Sequence, residues 1–274
     1  MKEVKLRNGV SIPLIGLGTW KSPKEDAYNA TISALKAGYR HIDTAYIYGN
    51  EQEVGKAIND SGIPREEIFL TTKLWNSDQG YEETKIAFQK SLDNLKQDYV
   101  DLYLIHWFKG YDKALETWRA MEELYKLGKI KAIGVSNYNV HHLMNIINNC
   151  EISPMVNQVE THVELQNEFL NNYCIENGIQ LEAYAPLMSW KVKEMIQKPE
   201  LIKISEKYNK SVPQVVIKWL NQRGIVALPK SVNESRIKAN FDVDDFSLSD
   251  DDMKEIAKLN KGAKLFPEFD NVMF

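Results

Sequence analysis

Gly38-Tyr39-Arg40-His41-Ile42-Asp43-Thr44-Ala45-Tyr46-Ile47-Tyr48 places an acid, Asp43, and a phenol, Tyr48, five positions apart. A phenol with its ordinary pKa of about 10 gives up a proton poorly at neutral pH unless a nearby cation stabilises the phenolate. The chain offers such a cation in Phe69-Leu70-Thr71-Thr72-Lys73-Leu74-Trp75, an apolar run whose lysine reads as buried. Lysine is almost never fully buried without a partner, and Asp43 supplies one. An ammonium at Lys73 between Asp43 and Tyr48 would lower the phenol's pKa, each unit being worth about 1.4 kcal/mol. His106 ends a further apolar run, Val100 to Ile105. A neutral imidazole there can hydrogen-bond a substrate carbonyl or share its proton with Tyr48. Taken singly, Asp43 could cap a turn, Tyr48 could be a half-buried aromatic and His106 a satisfied core histidine. Together they escape those separate explanations.

Such a site needs elements with a common end. Gly38 closes an amphipathic run, Ile42 carries a short strand, and Asp43 sits at that strand's carboxyl end, with Tyr48 in the following loop. Strand-like runs are expected at Leu14 to Thr19, His41 to Thr44, Ile68 to Leu74, Val100 to Trp107, Ile130 to Ser136, Met155 to Glu160, Gln180 to Ala185 and Ile225 to Pro229. Helix-like runs alternate with them. Ser22-Pro23-Lys24-Glu25 reads as a capping box closed off by Gly38, and Ser211-Val212-Pro213-Gln214 repeats the device with Gly224 as its stop. A hairpin from Val4 to Pro13 precedes them, with Asn8-Gly9 suited to a type I′ turn. Strands alternating with helices of this length require parallel pairing and right-handed crossovers, and eight such units close a barrel. The expected fold is therefore α/β, a (β/α)8 TIM barrel with an N-terminal β-hairpin, forming a single barrel domain over residues 1–274. An open doubly wound sheet would want a third glycine in Gly16-Leu17-Gly18-Thr19-Trp20, which is absent. A barrel also requires the polar strand ends to converge: Thr19 and Trp20, Asp43, Lys73, His106, Ser136 and Asn137, Gln158, Tyr184, then Lys230 and Ser231.

Composition narrows the partners. The net charge of -4 is spread without a basic block, which argues against nucleic acid and anionic membrane. The amino terminus lacks the apolar core of a signal peptide, and no apolar run reaches the ~20 residues that span a bilayer, so a soluble, cytoplasmic protein is expected. Cys150 and Cys174 lack the spacing of a zinc or redox site and read as reduced packing residues. His141-His142 reads as the solvated face of a helix, no histidine pair at a strand end suits a hydrolytic metal, and no metal is expected. Asp250-Asp251-Asp252 follows Ser249 at a helix start, where carboxylates favour the macrodipole.

Asp43, Tyr48, Lys73 and His106, in that order on a barrel alternation, resemble the catalytic tetrad of the aldo-keto reductases. Matching segments extend over nearly the whole chain: Gly16 to Trp20, Gly38 to Glu51, Thr71 to Trp75, Leu104 to Trp107, Ile133 to Tyr138, Val156 to His162, Ala183 to Leu187 and Leu228 to Asn240. The likeness is to short bacterial-type members, and it implies NADPH-dependent reduction of aldehydes and ketones, with Tyr48 as general acid tuned by Lys73 and Asp43, and His106 orienting the carbonyl. The resemblance further implies cofactor contacts at Gly18, Thr19, Asp43, Ser136, Asn137, Gln158, Tyr184, Leu187, Lys230, Ser231, Val232, Arg236 and Asn240. Ser136, Asn137 and Gln158 would hold the nicotinamide carboxamide, and Tyr184 would stack on its ring. Lys230, Ser231 and Arg236 would hold the adenosine 2′-phosphate, and the charge argument agrees, because NADH would leave both cations without an anion.

Departures from the family pattern fall at Phe108, Val163, Ala239 and Met188-Ser189-Trp190-Lys191, none of them in the tetrad. Tyr48 and His106 would floor the substrate pocket, Trp20, Ile47, Trp75 and Trp107 would form its sides, and Phe266 or Phe269 could close one rim. Short loops after Trp107 and Lys261 make that pocket shallow and open, suited to small reactive aldehydes and dicarbonyls on a monomer. A sensory barrel that holds NADPH with little turnover is the alternative, against which the intact tetrad argues.

Overall fold

The computed structural model describes residues 2–267. A short hairpin, β1 (Glu3–Lys5) and β2 (Ser11–Pro13), opens the chain. Its turn differs from the expected type I′. Gly9 N–H donates to Leu6 O and Leu6 N–H to Val10 O, and only Gly9, at φ 87°, is left-handed. This is a type I turn closed by a glycine bulge; Asn8 instead spends its amide on the Lys131 carbonyl at 2.9 Å.

The barrel strands then alternate with helices. β3 (Leu17–Gly18), α1 (Lys24–Ala37), β4 (His41–Asp43), α2 (Glu51–Asp60), β5 (Phe69–Leu74), α3 (Tyr81–Leu95), β6 (Val100–Ile105) and α4 (Tyr111–Lys126) form its first half. β7 (Ile130–Ser136), α5 (Val140–Asn149), β8 (Val156–Glu160), α6 (Glu168–Glu176), β9 (Gln180–Tyr184), α7 (Val192–Met195), α8 (Pro199–Tyr208), α9 (Val212–Gln222), β10 (Val226–Leu228), α10 (Glu234–Phe241) and α11 (Asp250–Ala257) complete it. All eight strands from β3 to β10 pair in parallel with their sequence neighbours. The ends meet through parallel bridges at Ile15 to Ala227 and Gly18 to Lys230. Of the expected run only Leu17 and Gly18 pair with β4, while Leu14 O accepts from the Ala227 N–H at 2.9 Å and the Gly16 N–H donates to Ala227 O at 3.0 Å across the closure; a Cβ on Gly16 would stand 2.7 Å from His41 and from Leu228.

Two of the helix starts agree with their sequence signals and one does not. Ser211 with Gln214 and Ser249 with Asp252 form reciprocal capping boxes. At α1 the cap position is Pro23, without a side-chain cap, so the Ser22 box does not form. Ser22 instead donates its N–H to Thr19 O, and its carbonyl accepts from Asn50 Nδ2 at 3.2 Å.

Strand alternation decides what enters the barrel. Residues two apart share a face, so His41 with Asp43, Thr71 with Lys73, Gln158 with Glu160 and Glu182 with Tyr184 form inward pairs. The intervening Thr72 turns outward and donates its hydroxyl to Glu51 Oε1 of α2 at 2.7 Å.

Candidate active site

Lys73 is fully buried, and its Nζ donates to Asp43 Oδ1 at 2.6 Å and to the Thr44 carbonyl at 3.0 Å. Gly49, at φ 65°, ends a single 3₁₀ turn, Tyr46–Tyr48, that carries the phenol over the barrel mouth. There the Lys73 ammonium lies 5.2 Å from the Tyr48 ring centroid. His106 stands on the other side, with its ring 5.7 Å from Tyr48 and 5.2 Å from Trp75, both edge-on.

The electrostatics correct one expectation. Burial pushes the Tyr48 pKa up, and although Lys73 pulls it down, the net shift is upward, so the phenol keeps its proton at neutral pH. Burial would strip Lys73 of its proton, yet Asp43 and Tyr48 reverse this and leave the ammonium strengthened. His106 is driven well below its ordinary value, by burial first and then by Lys73, and is neutral.

A cavity of about 1140 Å³ runs from Trp20, Ile47, Tyr48, Trp75, His106 and Trp107 past the strand ends to Arg236 and Asn240. Between them, Gly18, Asp43, Ser136, Asn137, Gln158, Tyr184, Leu187, Lys230 and Ser231 also line it. Asn137, left-handed at φ 61°, joins three strand ends: it donates to the His106 carbonyl at 2.9 Å and accepts from the Tyr184 hydroxyl at 2.8 Å. Two expected contacts lie off this lining. Thr19 is buried with its hydroxyl on the Asp43 carbonyl at 2.9 Å, and Val232 points to solvent. At the far end Lys230 and Arg236 are exposed, and neither makes an ion pair among the described residues. Arg236 N–H caps onto Asn233 Oδ1 at 3.1 Å, at the start of α10.

Residues 14–261 match the model of the Aldo/keto reductase family. The chain belongs to that family. It is 52% identical over 272 residues to the glyoxal reductase of Bacillus subtilis, covering 99% of this chain and 97% of the relative. The crystal structure of MGS-M4, an aldo-keto reductase from a Medee basin deep-sea metagenome library, superposes with a TM-score of 0.98 at 62% identity, with 100% of both chains covered. An aldo-keto reductase of Bombyx mori in complex with NADP matches with a TM-score of 0.89 at 34% identity, over 98% of this chain and 96% of that one.

This aldo/keto reductase holds polar groups that the sequence reading passed over. Glu182 and His41 are both fully buried beneath the cavity, His41 Nε2 lying 3.9 Å from Glu182 Oε1 and 3.2 Å from Thr71 Oγ1. Burial and then the Asp43 charge raise Glu182 to about 8, while burial lowers His41 to about 4. The signal was present: each lies two residues before a singled-out strand-end residue, Tyr184 or Asp43, on the same face. Glu160 was missed too. Its carboxylate accepts from the backbone N–H of Leu265 at 2.7 Å and of Phe266 at 3.2 Å. That anchors the Phe266 ring against Trp20, Tyr184 and Trp190, with centroids 5.5, 5.4 and 5.2 Å away. Phe269 lies outside the described residues.

His142 also departs from expectation. It is 1% exposed, accepts from the Asn139 N–H at 3.1 Å and stacks on Phe108 at 3.7 Å, so only His141 is solvated. The first turn of α5 is pressed against the loop after β6, and the capping position turns His142 inward. In the 185–189 loop Ala185, Met188 and Ser189 are all left-handed, a conformation that costs non-glycine residues on the order of 1 kcal/mol each. Met188 is fully buried there and Trp190 is left exposed. No helix among the described residues is long and apolar enough to cross a membrane.

Proposed function

We propose that this protein reduces aldehydes, ketones and small dicarbonyls to alcohols with NADPH, Tyr48 acting as general acid. The observation that carries the proposal is the union of two chemistries in one cavity: a phenol beside a buried ammonium at one end, and at the other two cations that make no ion pair among the described residues. A nicotinamide dinucleotide phosphate suits such a lining, and the NADP complex of the Bombyx mori relative supports it. Lys230, Ser231 and Arg236 would hold the 2′-phosphate and Asn240 the adenine. Ser136, Asn137 and Gln158 would hold the carboxamide, and Tyr184 would offer its ring face.

When bound, the reduced nicotinamide supplies the hydride. The chain supplies the rest. As the carbonyl oxygen gains an electron pair, protonated Tyr48 donates to it, and the phenolate left behind faces the Lys73 ammonium. Asp43, bonded to that ammonium, keeps it charged. Neutral His106 hydrogen-bonds the same carbonyl oxygen and orients it without placing a second positive charge beside Lys73.

Trp20, Ile47, Trp75, Trp107 and Phe266 give the substrate end mostly apolar walls. Such walls discriminate weakly by hydroxyl pattern, since one methylene is worth only about 1 to 3 kcal/mol. Short, reactive aldehydes and dicarbonyls such as methylglyoxal are therefore the proposed class, and similarity to a glyoxal reductase supports it. A cytoplasmic monomer completes the proposal. The test is a set of kcat/KM values for NADPH-linked reduction across glyoxals, short and aromatic aldehydes, keto-sugars and steroid ketones. Short dicarbonyls should lead; a steroid ketone ahead by orders of magnitude refutes the substrate class.

A further inference from the structure

Glu182 precedes Tyr184 by two residues in β9, so its carboxyl lies inside the barrel beneath a ring that borders the cavity. Oε2 accepts from Gln158 Nε2 at 2.9 Å, and the same nitrogen donates to Asp43 Oδ2 at 2.9 Å. An amide nitrogen has two hydrogens, and here both go to carboxyl groups. Gln158 lines the cavity, and its carbonyl oxygen is the one amide atom left for a ligand. Turned over, the amide would aim that oxygen at the Asp43 carboxylate. Asp43 alone would hold one hydrogen and let the amide rock about a single contact; Glu182, directly opposite Gln158 in the β8 and β9 register, makes the hold two-point.

We propose that Glu182 is a positioning residue for the cofactor: with Asp43 it locks the Gln158 amide so that only its carbonyl oxygen is offered to the nicotinamide carboxamide. The inference rests on the cofactor role proposed above for Gln158. A purely structural role explains this glutamate poorly. Among the described residues its Oε1 is buried without a hydrogen-bond partner, at a cost of about 1–3 kcal/mol that an apolar side chain would avoid. Burial and then the Asp43 charge keep the carboxyl protonated at neutral pH, with Lys73 and His41 as its other charged or titratable neighbours. Glu182 thus holds Gln158 without setting a second negative charge against the ammonium.

The test is NADPH titration, followed by the change in its fluorescence, of Gln158→Ala, Glu182→Met, Glu182→Gln and the double variant Gln158→Ala with Glu182→Met. Thermal unfolding of each verifies folding, and Glu182→Leu substitutes if the methionine variant does not fold. Glu182→Met should weaken NADPH about tenfold, as loss of one orienting hydrogen bond would. Glu182→Gln, whose amide oxygen can accept the same hydrogen, should restore binding, and the double variant should bind no more weakly than Gln158→Ala alone. Wild-type affinity in Glu182→Met beside a weakened Gln158→Ala overturns the proposal alone, as do fully additive losses. Wild-type affinity in Gln158→Ala overturns the cofactor role of Gln158 and the proposal with it.

Discussion

Lys73, beneath the cavity floor, is fully buried and bonded to Asp43 and the Thr44 carbonyl, whereas Lys230 and Arg236 at the far end are exposed and make no ion pair among the described residues. The floor satisfies its charges internally. Its field is fixed before any ligand arrives, and removing one partner strands the other in a site with little water. The far end holds its cations in reserve, where they gain most when an anion binds and cost the fold little when removed. One cavity thus joins an end whose charges are paired internally to an end whose cations are open to solvent.

Substitutions can break this contrast. Tyr48→Phe removes the proposed proton donor without touching the ion pair, so carbonyl reduction should fall about 10²- to 10⁴-fold while NADPH affinity stays near wild type. Steady-state kinetics beside a cofactor titration would check it, and substantial turnover would remove Tyr48 from the acid role. Lys73→Met should cost activity comparably and also destabilise the fold by about 3–5 kcal/mol, because Asp43 is left buried and unpaired. Urea unfolding reads that loss, and an unchanged midpoint would mean that the floor does not depend on its pair.

At the other end Arg236→Ala should weaken NADPH about 10- to 100-fold, scarcely affect NADH and leave the urea midpoint alone. Equal losses for both cofactors would place Arg236 elsewhere. The smallest effect concerns pH. Glu182 is raised from 4.5 to about 8 in the folded state, so its contribution to stability is full below 4.5 and is lost as pH rises through 8. His41, lowered to about 4, titrates below this upper limb. Between about pH 7 and 9 the wild-type unfolding midpoint should therefore fall more steeply than that of Glu182→Gln, and parallel curves would show that Glu182 does not titrate there.

The sequence by itself determined the alternation of strands and helices, the hairpin's place, the polar strand ends and the order of Asp43, Tyr48, Lys73 and His106. These are legible because apolar periodicity, caps and turn residues act locally, and a parallel barrel gathers its strand ends whatever their separation along the chain. The tertiary structure decided what depends on distant neighbours. The Asn8-Gly9 turn was settled by the hold of Lys131 on Asn8, and the fate of the Ser22 box by the loop at Asn50. His142 reads as surface until Phe108 stacks on it, and Glu182 reads as an ordinary strand residue until the barrel closes Gln158, Asp43 and His41 around it. The direction of the Tyr48 shift followed the same rule. Sequence could name the cation that lowers the phenol's pKa, but burial, which outweighs it, is a property of the whole packed barrel mouth.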